Sequence, residues 1–262
     1  MSKQQTFGRS RPSKAYELEY RRKLQELLKE MQADVKKELT AYLKRDTAQD
    51  ATGDTWAQIM KWLRVKWYKR FDSKSREFAK WITDKTRKRT SAQVMRKLKQ
   101  MGLLLKPHYS KQDKEIIKAI TENNVALIKS IPQQYLQQVQ QAVNSAFTTG
   151  YDMQALTEEI NNVLDPIDAK SDNRAALLAR DQMNKTTQQF AMFEAKAVGA
   201  TKGRWIHVPG KYSSRITHIK MNGRTFNLDD GLYDADVHRN VKPGELIYCN
   251  CQFETLIPGF DE

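Results

Sequence analysis

The chain has 262 residues, of which 39% are hydrophobic and 29% charged, with a mean hydropathy of −0.74 and a formal net charge of +14. A chain this polar favours a thin, helical, surface-rich architecture over one thick core, and its length suits one large domain or two modest ones. No apolar run reaches the roughly 18 residues a membrane span needs and no apolar leader opens the chain, so no membrane partner is expected; two cysteines exclude a disulfide framework and make a reducing cytoplasm the expected compartment.

Residues 1–10 are polar and aperiodic and read as a flexible arm ended by Pro12. From Ser13 to about Arg45, Leu18, Leu24, Leu27, Leu28, Met31, Val35, Leu39, Tyr42 and Leu43 recur at three- and four-residue steps, the pattern of an amphipathic helix. The run Asp46–Asp54 breaks it, and Asp54 or Thr55 can cap the next helix. That helical region runs from Trp56 to about Lys99, with an interruption expected near Asp72–Ser75. Met101–Asp113 reads as a linker with Ser110 as a cap. A helix from Lys111 to Thr148 is expected to divide at Ile131, before Pro132, and to end at Gly150. A short helix, Met153–Leu164, should stop before Pro166, and a longer one, Ser171–Val198, should end at a Gly199 C-cap. After Gly203 helical periodicity gives way to short β-leaning pieces, including "IKMNGRTFNL", a hairpin pattern turning at Asn222-Gly223. The expected class is therefore α+β: an extended all-α region over residues 1–110 and 111–199, then a small β-rich part over 200–262.

The charge is uneven. Residues 1–110 carry 28 Lys and Arg against 12 Asp and Glu, and residues 111–262 carry 17 against 19. Between Lys61 and Gln100 the ratio is 15 to 3, more than solubility requires. Lys61, Arg64, Lys66, Lys69, Arg70, Lys85, Arg87, Lys88, Arg89, Arg96, Lys97 and Lys99 are the candidate contacts for DNA or another polyanion. Aromatic residues interleave them in "WLRVKWYKRF", where they either stack on bases or form a packed helical seam. In the β-leaning part, Cys249, Cys251, His218 and His238 offer enough nitrogen and sulfur ligands for a tetrahedral zinc ion. Two thiols in C-x-C spacing on a strand would share a face, which suits either a metal or simple packing. In "LARDQMNKTTQQ", Arg180, Asn184 and Thr187 share a helix face and Asp181 pairs with Lys185, a spacing that reads as a solvated face. No phosphate-binding loop, zinc-protease helix or nucleophile elbow is present, so the residues give no sign of catalysis and no enzyme is expected.

Taken in order, these pieces resemble the phage Mu F-like minor head proteins of the phage head morphogenesis family. The resemblance rests on Ala179, Arg180, Asp181 and Gln182, followed by Asn184; Gly199 and Trp205; Arg215 and His218; Gly223 and Phe226; Pro243 and Gly244; and Cys249 and Cys251. It extends over about Asn123–Gly259, with residues 111–199 resembling the helical part that leads into the domain and 200–262 its β-rich end. Family members commonly place an Asp and a further Arg ahead of R-x-x-H, where this chain has Lys211 and Ser213, so a polar network built on that Asp is expected to be altered or absent. Some relatives carry terminal toxin domains, and no such extension is expected after Gly259.

The resemblance implies a minor capsid component, made in the host bacterial cytoplasm and placed in the virion or procapsid interior. It would associate with portal protein and with major capsid or scaffold protein during head assembly and DNA packaging. From its charge, the basic N-terminal half would face DNA or acidic scaffold surfaces. The competing readings are a nucleic-acid-binding protein with no capsid role, and a Cys–His hydrolase or metal-dependent nuclease.

Overall fold

A computed structural model describes residues 6–46, 53–102, 111–148, 153–210 and 214–257. The first strand, β1 (Thr6–Arg9), precedes four long helices: α1 (Lys14–Asp46), α2 (Gly53–Gln100), α3 (Lys111–Thr148) and α4 (Met153–Ala197). Then come β2 (Lys202–Ile206), α5 (Ile216–Met221), β3 (Thr225–Asn227), β4 (Leu232–Asp234), β5 (Arg239–Val241) and β6 (Gln252–Leu256). The class is α+β, as the sequence indicates. Two compact units form, one from residues 1–18, 80–121 and 179–262, the other from 19–79 and 122–178.

Among the described residues the second unit is helical, and its stripes follow the apolar spacing. Leu24, Leu28, Met31, Val35 and Leu39 of α1 are buried, as are Trp56, Met60, Leu63, Trp67 and Phe71 of α2. Ile128, Ile131, Tyr135, Val139 and Val143 of α3 and Leu164, Ile167, Ala175 and Leu178 of α4 continue the same pattern. Three expected breaks are absent. At Asp72–Ser75, α2 continues because buried Ser75 satisfies its hydroxyl within the helix, donating to the Asp72 carbonyl at 2.9 Å. Helix α3 passes Pro132 and α4 passes Pro166. A proline inside a helix costs about 3 kcal/mol. Burying side chains on both sides of it, at roughly 1.5–3 kcal/mol each, offsets that cost: Ile128, Ile131 and Tyr135 flank Pro132, and Leu164 and Ile167 flank Pro166. The expected caps at Asp54, Thr55 and Ser110 and the expected helix end at Gly150 fall outside the residues and side chains described.

In the first unit, a four-stranded antiparallel sheet has the order β1-β6-β2-β3, and β4 and β5 form a separate antiparallel pair. The expected flexible arm is therefore incorrect over Thr6–Arg9, which pairs with β6 in the register Thr6↔Leu256. Phe7 anchors it in an apolar cluster with Val94, Leu98 and Ile257. Ser13 then starts α1, its carbonyl accepting the Glu17 amide at 3.0 Å. At the other end of the helical run, Gly199 takes φ +86° and donates to the Lys196 carbonyl at 2.9 Å, the expected C-cap. The expected hairpin at Asn222-Gly223 is instead a helix-to-strand turn, because Ile216–Met221 is helical with His218 and Met221 buried. The turn is held from outside the local sequence: the Gly223 amide donates to the Trp205 carbonyl at 2.8 Å, and Asn222 Oδ1 accepts the His207 amide at 2.9 Å.

Trp205, Phe226 and Phe253, one from each of three adjacent strands, meet edge to face with centroids 6.0 and 5.9 Å apart. They pack with Ala191, Met192 and Ala195 of α4 into one core. Phe253 is 1% exposed within it, so Phe253→Ala should lower unfolding stability by about 3–5 kcal/mol, read as a shift in urea midpoint. A shift under about 1 kcal/mol would contradict this packing.

Candidate functional site: a buried polar constellation

The last turns of α4 carry polar side chains into the interior. Asp181, Gln182, Asn184, Thr186, Thr187 and Gln188 are all buried, while Arg180 and Lys185 are half-buried. The solvated face expected for "LARDQMNKTTQQ" is therefore corrected. Spacing alone cannot separate a polar face in water from one that meets another backbone. Here it meets the chain at 248–251. Asn184 Nδ2 donates to the Cys249 carbonyl at 2.8 Å and lies 3.3 Å from the Cys251 carbonyl. Asp181 Oδ1 accepts the Tyr248 amide, and its other oxygen lies 3.9 Å from Lys185 Nζ, the expected pair. Gln188 Nε2 reaches the Ser10 carbonyl at 3.1 Å and Asn184 Oδ1 at 3.3 Å.

Tyr248 has φ +58°, so the C-x-C segment is a turn leading into β6 and not part of the strand, contrary to expectation. The turn, not strand alternation, brings the sulfurs together. Cys249 Sγ lies 3.3 Å and Cys251 Sγ 3.7 Å from His218 Nδ1. All three side chains are buried, and their ligand atoms lie within 4.8 Å of one another. His218 Nε2 faces Asp234 Oδ2 at 3.0 Å, and Asp234 is 0% exposed. Trp205 covers the imidazole edge to face at 5.3 Å.

His238 is the exception among the proposed ligands. It lies exposed at φ +53° in the β4–β5 turn, away from the sulfurs. The second imidazole beside them is His207, just after β2, with Nδ1 3.6 Å from Cys251 Sγ. Neither His207 nor Asp234 stood out in the sequence. The only signal for them is position: His207 follows Trp205 by two residues, and Asp234 sits in the acidic run "DDGLYDAD". The altered network expected from Lys211 and Ser213 concerns positions outside the described residues; Asp234 is the carboxylate beside His218.

Arg215 Nη2 donates to the Ile247 carbonyl at 3.2 Å, bracing the same turn. Pro243 and Gly244 are buried, and Gly244 lies against α4. Gly244 has φ +77°, and a Cβ there would stand 2.9 Å from Gln188 Cγ and 3.2 Å from Asn184 Nδ2. Glycine both permits the backbone conformation and lets the chain approach the helix.

The protonation states follow from this packing. Burial pushes the Asp181 carboxyl up, against the pull of Lys185 and the Tyr248 amide. Burial pushes His218 down, but Cys249 and Asp234 beside it more than offset this and raise it. Burial acts to raise Asp234, yet the Asp236 amide and His218 hold it below the usual carboxylate range. Hydrogen bonding between the two thiols pushes Cys249 up, with burial adding to it, and draws Cys251 down to about 7 against the effect of burial. Thiol, imidazole and carboxylate of Cys249, His218 and Asp234 stand in the line of a nucleophilic triad. The Cys249 thiol is only 4% exposed and its pKa is raised, the reverse of an activated nucleophile.

The basic residues divide between the units. In the helical unit, Lys61, Lys66, Lys69 and Arg70 are exposed and Arg64 is half-buried. Lys66 pairs with Asp34 at 2.7 Å, Arg70 with Glu30 at 3.1 Å, and Arg64 binds Gln140. In the other unit, Lys85, Lys88, Arg89, Arg96, Lys97 and Lys99 are exposed and Arg87 is half-buried; Lys85 Nζ lies 5.7 Å from the Tyr16 ring centroid. Trp56 and Trp67 are packed in the core and Trp81 is half-buried against Tyr16, whereas Trp62 is 48% exposed with Lys66 Nζ 4.6 Å from its ring centroid. The aromatic face is thus mainly a seam, with Trp62 as its exposed member.

A helical chain whose α4 polar face clamps a C-x-C turn against a small antiparallel sheet is the arrangement behind the ordered motif read from the sequence. Residues 137–254 match the family described as Phage Mu protein F like protein. The chain is also similar to an uncharacterized protein of Haemophilus influenzae, 28% identical over 247 residues. That match covers 91% of this chain and 53% of the relative, so the chain spans about half the relative's length. No solved structure matches it.

Two expectations follow from the clamp. Gly244→Ala should cost about 1–3 kcal/mol, since it adds left-handed strain and a Cβ against Gln188; an unchanged melting temperature would contradict the close approach. For Asp181, the folded pKa is raised, so the ionised carboxylate penalises folding as pH rises from the unfolded value through the folded one. Asp181→Asn should therefore gain stability relative to the parent as pH rises above the usual carboxylate range in urea titrations. A difference constant with pH would contradict it.

Proposed function

We propose that this chain acts as a non-catalytic minor head protein of a tailed phage, placed in the virion or procapsid interior and associating with the portal and with major capsid or scaffold protein during head assembly. The observation that carries this reading is that the motif residues of the Mu F-like region meet in one buried constellation. Asp181 and Asn184 hold the C-x-C turn, Arg215 braces it, and Gly244 fits against the same helix. Such an arrangement serves to hold a small domain in one shape, which suits an assembly component. Among the described residues no helix is long and apolar enough to cross a membrane.

The exposed cations of α2 support a further contact with packaged DNA or an acidic scaffold surface. Among the described residues, Lys61, Lys69, Lys88, Arg89, Arg96, Lys97 and Lys99 form no ion pair with a carboxylate, which leaves their charge available to phosphates.

Quantitative mass spectrometry of procapsids and virions from the encoding phage tests the reading. The expected result is this chain at a low, fixed ratio to the portal protein. Its absence from both particles, together with salt-dependent DNA binding by the free protein, would replace this reading with that of a nucleic-acid-binding protein without a capsid role.

A further inference from the structure

We propose that His218, Cys249 and Cys251, joined by His207, form a structural zinc site that staples the β-rich part of the Mu F-like region. Zinc bonds sulfur at about 2.3 Å and imidazole nitrogen at about 2.0–2.1 Å, so tetrahedral geometry sets nitrogen and sulfur roughly 3.6 Å apart. The three nitrogen-to-sulfur distances here are 3.3 Å, 3.6 Å and 3.7 Å.

The surroundings agree with the chemistry of a closed site. His218 presents Nδ1 to the sulfurs while its Nε2 is held by Asp234, the carboxylate that orients a metal-bound imidazole and fixes its tautomer. Asn184 fixes the carbonyls of both cysteines, which restrains the turn carrying the sulfurs. His218, Cys249 and Cys251 are buried, and His207 stands at the half-buried rim beside Cys251. The mixed nitrogen and sulfur set selects zinc over the harder magnesium or calcium ions.

The full-length chain, purified without chelators from zinc-supplemented medium, provides the test. One zinc per chain by elemental mass spectrometry is expected. Cobalt exchange should give the visible bands of a tetrahedral ion and a near-ultraviolet thiolate charge-transfer band. Asp234→Asn should weaken zinc affinity about 10- to 100-fold while keeping one ion per chain. His207→Ala should weaken affinity at least about tenfold and alter the cobalt bands. Wild-type protein with negligible zinc and no thiolate band would overturn the site, whatever the variants do. Unchanged affinity and bands in His207→Ala would overturn the assignment of the fourth ligand.

Discussion

The amide of Asn184 is the contact on which the C-terminal part of the molecule depends. From one position on α4 it reaches two carbonyls of the C-x-C turn. Buried carbonyls left without donors would cost on the order of 1–3 kcal/mol each, so one side chain answers a large backbone demand. Asp181 does the same for the Tyr248 amide one helical turn earlier. Together they fix a segment that has no regular secondary structure of its own, and β6, the strand between β1 and β2, starts directly from it.

That constraint explains why residues far apart in the sequence form one signature. Gly244 must lack a side chain because Gln188 and Asn184 occupy the space a Cβ would enter. Trp205 fills the gap between the sheet and the imidazole of His218. Arg215 supports the turn from the opposite chain segment through the Ile247 carbonyl. The sulfurs, imidazole and carboxylate then stand together as a consequence of where α4 holds the chain.

Much of the helical architecture was legible because it follows a local rule. Apolar residues at three- and four-residue spacing predict helices and their buried faces, and Leu24 to Leu39 of α1 behave that way. The breaks at Ser75, Pro132 and Pro166 were misread because local propensity was outweighed by burial on both sides. β1 was missed since its pairing partner lies at the far end of the chain and only Phe7 marks it as apolar. The polar run of α4 was misread for a related reason: its partners are backbone groups, which carry no identity in a sequence.

By itself, the sequence determined the α+β order, the basic first half, the motif shared with the Mu F-like family and the identity of two sulfurs and one imidazole in the cluster. These properties reside in residue type and in spacing along the chain. The tertiary structure alone decided that His207 stands beside the sulfurs and His238 does not, that Asp234 is the partner of His218, and that the Asn184 face is buried. Each of those depends on where turns deliver distant atoms, and a turn such as the one at Tyr248 is fixed by contacts across the fold and not by its neighbours in sequence.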